Sequence, residues 1–169
     1  SSPKSLDIKM KQIANGEDIG VISEAGLPGL ADPGSIAVAY AHRNGIRVIP
    51  LPGATSIQTA VICSGFSGQQ FTFHGYLPIQ KPERVKAMKQ LELTVKQTGF
   101  TQTFMETPFR NMSLFNDLLK ELDPQTLLCI CADIFGSEEH IKTLPVSQWR
   151  KSKIDLHKIP TVFSIGQIS

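Results

Sequence analysis

The sequence predicts an α/β protein made of two halves, and three observations carry that prediction. Strand-like apolar runs alternate with segments of helical periodicity, which is the β-loop-α repeat of a parallel sheet covered by helices. In the first half each such run empties into a loop of glycine and proline that then opens a helix, as IGVISEAGLPGLADPGS and again as IRVIPLPGATS. The chain of 169 residues is 41% hydrophobic and 19% charged, the composition of a globular protein with a real core. The stretch Ile19–Ser56 therefore organises the reading, because in open α/β sheets ligands gather outside the carboxyl ends of the strands.

The elements follow in order. Residues 6–15 space Leu6, Ile8, Met10 and Ile13 as an amphipathic helix stopped by Asn15-Gly16. Gly20–Ser23 reads as a short buried strand. Asp32 stands at an N-cap position, Pro33 suits the first helical residue, and the helix from Ser35 ends at Gly45. Residues 47–52 (RVIPLP) read as the next strand, with Thr55 or Ser56 capping a helix that carries Ile57, Ala60 and Val61 and stops at Gly65. FTFHGYLP is a further strand, and the prolines of LPIQKPE mark a boundary near Pro78. The expected domains are residues 1–77 and 78–169. In the second, helices over Glu83–Thr98 and Met112–Leu122 alternate with strands at QTFME, LLCICAD, HIKTL and PTVFSI, a mixed sheet. The first half supplies about three strands, fewer than a typical sheet, so this domain reads as N-terminally incomplete.

Composition excludes several classes. No apolar run approaches the roughly 20 residues that span a membrane, and SSPKSLDIKMK lacks the apolar centre of a signal peptide. Cys63, Cys129 and Cys131 form no CxxC pair and no zinc-ligand spacing; they read as small buried residues of a cytoplasmic protein. His42, His140 and His157 share no metal-like spacing, so no metal is expected. The net charge is only +2, yet Lys81, Arg84, Lys86, Lys89 and Lys96 cluster within residues 81–98, and Lys142, Arg150, Lys151, Lys153 and Lys158 within residues 142–158, sets that suit either a solvated face or phosphates.

Candidate chemistry lies at strand ends. Glu24–Gly34 combines three glycines, two prolines and two carboxylates, so a ligand can approach its backbone. It has neither the GxGxxG spacing nor a following GK[ST], and no nucleophile elbow occurs anywhere. Pro52–Ser56 (PGATS) offers amides and hydroxyls. Glu106 and Thr107 end a strand in the second half, and Arg110 is close enough to pair with Glu106 or with a phosphate. His74 lies in an aromatic strand.

Taken together, VISEAGLPGLADPGS, GIRVIPLPGATS, GFSGQQFTFHGYLP and FMETPFR resemble the tetrapyrrole (corrin/porphyrin) methylase superfamily, and within it the ribosomal RNA small subunit methyltransferase I type. The likeness covers about Gly20 to Asn111 closely and the remainder loosely. It implies two αβα domains with S-adenosylmethionine in a cleft between them, methyl transfer to a cytidine ribose 2′-hydroxyl of small-subunit ribosomal RNA, a cytoplasmic location and a homodimer. By position it implies cofactor contacts at Glu24, Ala25, Gly26, Pro28, Asp32, Pro33, Gly53, Ala54, Thr55, Ser56, His74, Gly75, Tyr76, Leu77, Thr107, Ala132 and Asp133. Glu106 would be the general base, with Asp133 or Glu24 as substitutes, and Arg110 and the basic helix would hold RNA phosphates. The sequence departs from that pattern in three places. No segment matches the family's opening strand, Glu24 stands where this branch has Asp, and CADIF stands where it has A-R-E-L-T. A tetrapyrrole acceptor, or a binding module that catalyses nothing, are the alternatives.

Overall fold

The computed structural model describes residues 16–168; the helix expected over 6–15 lies outside them. The chain divides into two compact units, Ser1–Thr55 and Ser56–Ser169.

Among the described residues the first unit contains one helix, α1 (Ser35–Arg43), which buries Ala37 and Ala41. Its end is a Schellman turn. Gly45 takes φ +66°, and the Ile46 and Gly45 amides donate back to the carbonyls of Ala41 and His42. Gly20–Ser23 and residues 47–52, expected as strands, carry no ladder among the described residues. Ile22 and Leu51 are 90% and 78% exposed. A strand exists only through the neighbour that satisfies its N–H and C=O groups, and neither run has one among the described residues.

The second unit is a three-layer α/β/α sandwich. Its elements are α2 (Ser56–Cys63), β1 (Phe71–Tyr76), α3 (Lys81–Thr98), β2 (Thr101–Met105), α4 (Asn111–Glu121), β3 (Leu127–Ala132), β4 (His140–Pro145), α5 (Val146–Trp149) and β5 (Thr161–Gly166). The sheet order is β1-β2-β5-β3-β4, with β1–β2 parallel and the other pairs antiparallel, which is the mixed sheet expected. The expected boundary at Pro78 follows β1, a strand hydrogen-bonded into this sheet.

The central strands are buried on both faces because helices cover both. Leu128, Ile130, Phe104 and Phe163 face α3, α4 and α5, where Met88, Leu118 and Trp149 complete the larger core. Phe104 and Phe163 stack with centroids 5.9 Å apart, and burying each such side chain contributes about 1.5–3 kcal/mol. Cys129, Cys131 and Val162 point to the other face, against Ala60 of α2 and Phe66. Thr103 and Ser164, directly opposed on β2 and β5, satisfy each other's hydroxyls at 2.9 Å. Cys129 and Cys131 are buried as expected, but Cys63, on the last turn of α2, is exposed.

Candidate functional site

In the first unit the Glu24–Gly34 loop is built around Asp32. Its Oδ1 accepts the amides of Gly29 at 2.5 Å and Gly34 at 2.7 Å. These two bonds, with Gly29 first, hold the carboxyl below its ordinary 3.8. Asp32 is therefore not the N-cap of α1. Gly34 is the N-cap and makes no side-chain bond, so Asp32 and Pro33 belong to the loop before the helix. Residue 34 must be glycine, since a Cβ there would lie 2.6 Å from the Gly29 nitrogen and 2.8 Å from Asp32 Oδ1. The PGATS loop reaches this one: a Cβ on Gly53 would meet Leu27 Cδ2 at 2.6 Å. The two loops are thus packed together, as a shared ligand site requires.

Glu24, Ala25, Gly26, Gly53 and Ala54 are exposed, Pro28 is half-buried, and Thr55 is buried. An open carboxylate beside uncovered main-chain amides suits a ligand with hydroxyl, ammonium and carboxylate groups. Next to them an open concavity of about 490 Å³ is lined by Leu27–Leu30, Ser35, Val38, Ala39 and His42. Ser56, the first residue of α2, is exposed and belongs to the second unit.

In the second unit the register gathers the remaining candidates at one end of the sheet. Tyr76 is paired with Met105, Met105 with Val162, and Ala132 with both Thr161 and His140. The carboxyl ends of β1, β2 and β3 therefore lie side by side, with Gly75–Leu77, Glu106–Arg110 and Ala132-Asp133 following them. Gly75 takes φ +65° at the bulge where β1 shifts register between Phe73 and Tyr76. Leu77 sends its side chain into the core, leaving only its main chain for a ligand. His74 is exposed and shares a 2.8 Å hydrogen bond with Gln102, which satisfies one ring nitrogen.

Glu106 is buried, and its Oε1 accepts the Thr107 amide at 2.7 Å and Arg110 Nη2 at 2.6 Å. Arg110 Nε is buried without a partner, so the fork is only partly satisfied. Asn111, fully buried, donates from Nδ2 to the Ile159 carbonyl at 2.6 Å, and Lys158 donates its amide to Pro108 at 3.0 Å. These two bonds stitch the Glu106–Arg110 turn to the loop before β5. Sequence reasoning missed Asn111, because its bond to Ile159 joins residues 48 positions apart. Asp133 ends β3 in the left-handed region at φ +50° and accepts the Glu138 amide at 2.9 Å, so its carboxylate is spent on its own turn.

The basic helix is largely neutralised from within. Arg84 is buried and donates from Nε and Nη2 to Asp117 Oδ2 at 3.0 and 2.5 Å. Lys81 pairs with the other oxygen of Asp117 at 3.0 Å, Lys89 donates to the Glu121 carbonyl, and Lys96 pairs with Asp123 at 3.5 Å. Four of the five cations expected at phosphates instead fasten α3 to α4 and the turn after it. Among the described residues no group of three or more His, Cys, Asp or Glu is placed to hold a metal ion, and no helix is long and apolar enough to cross a membrane.

The methyltransferase CobJ superposes over 96% of this chain and 70% of its own with a TM-score of 0.62 at 20% identity. Uroporphyrin-III C-methyltransferase from Thermus thermophilus, complexed with S-adenosylhomocysteine, superposes over 98% of this chain and 74% of its own, with a TM-score of 0.55 at 16% identity. The fold is that of the tetrapyrrole methylases. No family model matches the sequence. The protein named ribosomal RNA small subunit methyltransferase I from Halalkalibacterium halodurans is 39% identical over 107 residues, which is 63% of this chain and 36% of that protein. In sequence the chain is similar to relatives that carry this ribosomal RNA methyltransferase name, and in fold it is similar to CobJ and the uroporphyrin-III C-methyltransferase. It spans between 36% and 54% of the length of the curated relatives that it matches.

Proposed function

We propose that this chain serves S-adenosylmethionine-dependent methylation of small-subunit ribosomal RNA at a ribose 2′-hydroxyl. The observation that carries the reading is the buried Glu106, held by Thr107 and Arg110 at the carboxyl edge of the sheet, in a chain related in sequence to proteins of that name. S-adenosylmethionine would supply a methyl group already activated on a sulfonium. The exposed main chain of Glu24–Gly26 and Gly53–Ala54 fits its polar ends, and Glu24 can accept from its hydroxyls or ammonium group.

A ribose hydroxyl needs a proton acceptor. In this reading Glu106 fills that role and Arg110 orients it, with both existing bonds on Oε1 fixing the carboxylate plane. The partner is the small ribosomal subunit or its RNA, the location is the cytoplasm where that RNA resides, and the assembly is a homodimer, checked by sedimentation. Tritiated S-adenosylmethionine incubated with small ribosomal subunits, and separately with corrinoids, tests the acceptor: label in RNA supports the reading, and label only in the ring replaces it. Glu106→Gln should lower single-turnover transfer by about 10²–10⁴-fold while leaving calorimetric donor binding intact. An unchanged rate removes Glu106 from the chemistry.

A further inference from the structure

Four aromatic side chains stand out as exposed among the described residues: Phe71, Tyr76, Phe109 and Phe135. Phe71 begins β1, at the opposite end of the sheet. Tyr76 ends β1, and Phe109 and Phe135 follow the carboxyl ends of β2 and β3, the edge that carries Glu106. Phe135 lies in an acidic turn, with Asp133, Glu138 and Glu139 around it and its amide bonded to Glu139, a setting that repels phosphate. Phe109 is different. It is 70% exposed, in the turn between Glu106 and Arg110. His157 approaches its ring edge-on at 6.2 Å, and Lys158 Nζ stands 5.7 Å from its centroid.

The backbone beneath this trio is fixed. Lys158 occupies the left-handed region at φ +61°, uncommon for a lysine. Its amide bonds Pro108, and Asn111 Nδ2 bonds Ile159. A non-glycine residue held in that conformation aims its side chain at a cost in strain, and here it aims a cation at an exposed ring. An uncovered aromatic face, pre-ordered and beside cations, is what an unpaired nucleobase and its phosphate meet in single-stranded nucleic-acid sites.

We infer that Phe109 is a base-stacking platform and Lys158 a phosphate contact for single-stranded RNA entering the Glu106 edge. The inference rests on the RNA-acceptor reading above and names where the acceptor is gripped. A nucleobase stacks on the ring, Lys158 swings from the ring to the adjoining phosphate, and the nucleotide is held one turn from the carboxylate.

The test measures binding of a fluorescein-labelled single-stranded RNA fragment of small-subunit ribosomal RNA to the chain across a salt series. Phe109→Ala should weaken binding by about tenfold to a hundredfold, and Phe109→Trp should keep it. The new tryptophan should be quenched on RNA addition, whereas the buried Trp149 should not respond. Lys158→Asn, which tolerates the left-handed backbone, should reduce the salt dependence by about 0.7 in log–log slope, the value for one lost phosphate contact on a single strand. If the unaltered chain binds no RNA, the acceptor reading itself fails. If it binds RNA and Phe109→Ala binds equally well, the platform is overturned; a change in sedimentation of that variant would then assign the exposed ring to a protein contact.

Discussion

Replacing Asp117 with alanine distinguishes a structural basic helix from an RNA-gripping one. Asp117 and Arg84 both have side chains 8% exposed, and the carboxylate receives two guanidinium donors plus Lys81. Burial by itself would raise the Asp117 pKa, but the Arg84 and Lys81 bonds outweigh it and hold the carboxyl below 3.8. Asp117→Ala leaves the guanidinium buried with the Ile79 carbonyl and, at 3.5 Å, Ser113 Oγ. Removing one partner of such a pair costs about 3–5 kcal/mol, a large part of the ~5–15 kcal/mol that holds a domain folded. With a urea m-value of roughly 1.5 kcal/mol/M, the midpoint should fall by about 2 M or more. The single tryptophan, Trp149, is buried in the same unit, so its fluorescence reports the transition. The double variant Arg84→Met with Asp117→Leu should regain most of the loss, because burying neither charge removes the desolvation penalty. A loss under about 1 kcal/mol for Asp117→Ala, the range of exposed pairs, would refute the buried-pair account and return Arg84 to the candidates for phosphate binding.

Other outcomes follow from the same geometry. Gly34→Ala should open the Asp32 loop and abolish calorimetric S-adenosylmethionine binding with little change in the Trp149 transition; retained binding would separate that loop from the donor. The lowered Asp32 pKa means that the bonds to Gly29 and Gly34 are fully present above about pH 3.8 and lost as pH falls through the lower folded value. Amide exchange of Gly29 and Gly34 in the native chain should accelerate over that window, and in Asp32→Ala, which has no acceptor, it should be fast already at neutral pH. Cys63 should react rapidly with a thiol reagent while Cys129 and Cys131 stay silent until denaturant is added, since both are buried and Cys131 is held protonated by its contact with Cys129 and by burial. Two or more fast thiols in the native protein would contradict the packing of β3 against α2.

Local pattern accounts for most of the second unit. Apolar stripes at helical spacing placed α3 and α4, and the continuous run LLCICA announced a strand covered on both faces. The short α5 escaped because four residues carry no periodicity; Trp149 is held there by its own bond to the Leu128 carbonyl. The two strand-like runs of the first unit show the limit from the other side. Their β-branched residues express a preference for extended chain, but a ladder needs a neighbour, and sequence composition contains no information about whether one is present.

The small-residue loops around Ile19–Ser56, the carboxylates at strand ends and the order of these blocks were set by sequence alone, and they carried the family resemblance. Only the tertiary structure decided which charges are available. Long-range packing gave Arg84 to Asp117 and Lys96 to Asp123, whereas Asp32 ties its own loop and Arg110 meets Glu106 within four residues of chain. It also seated Lys158 beside Phe109 across 49 residues of chain. The physical reason is that a polar group's partner is chosen by proximity after folding, when burial makes an unpaired donor costly, whereas helix and strand preferences act between residues already close along the chain.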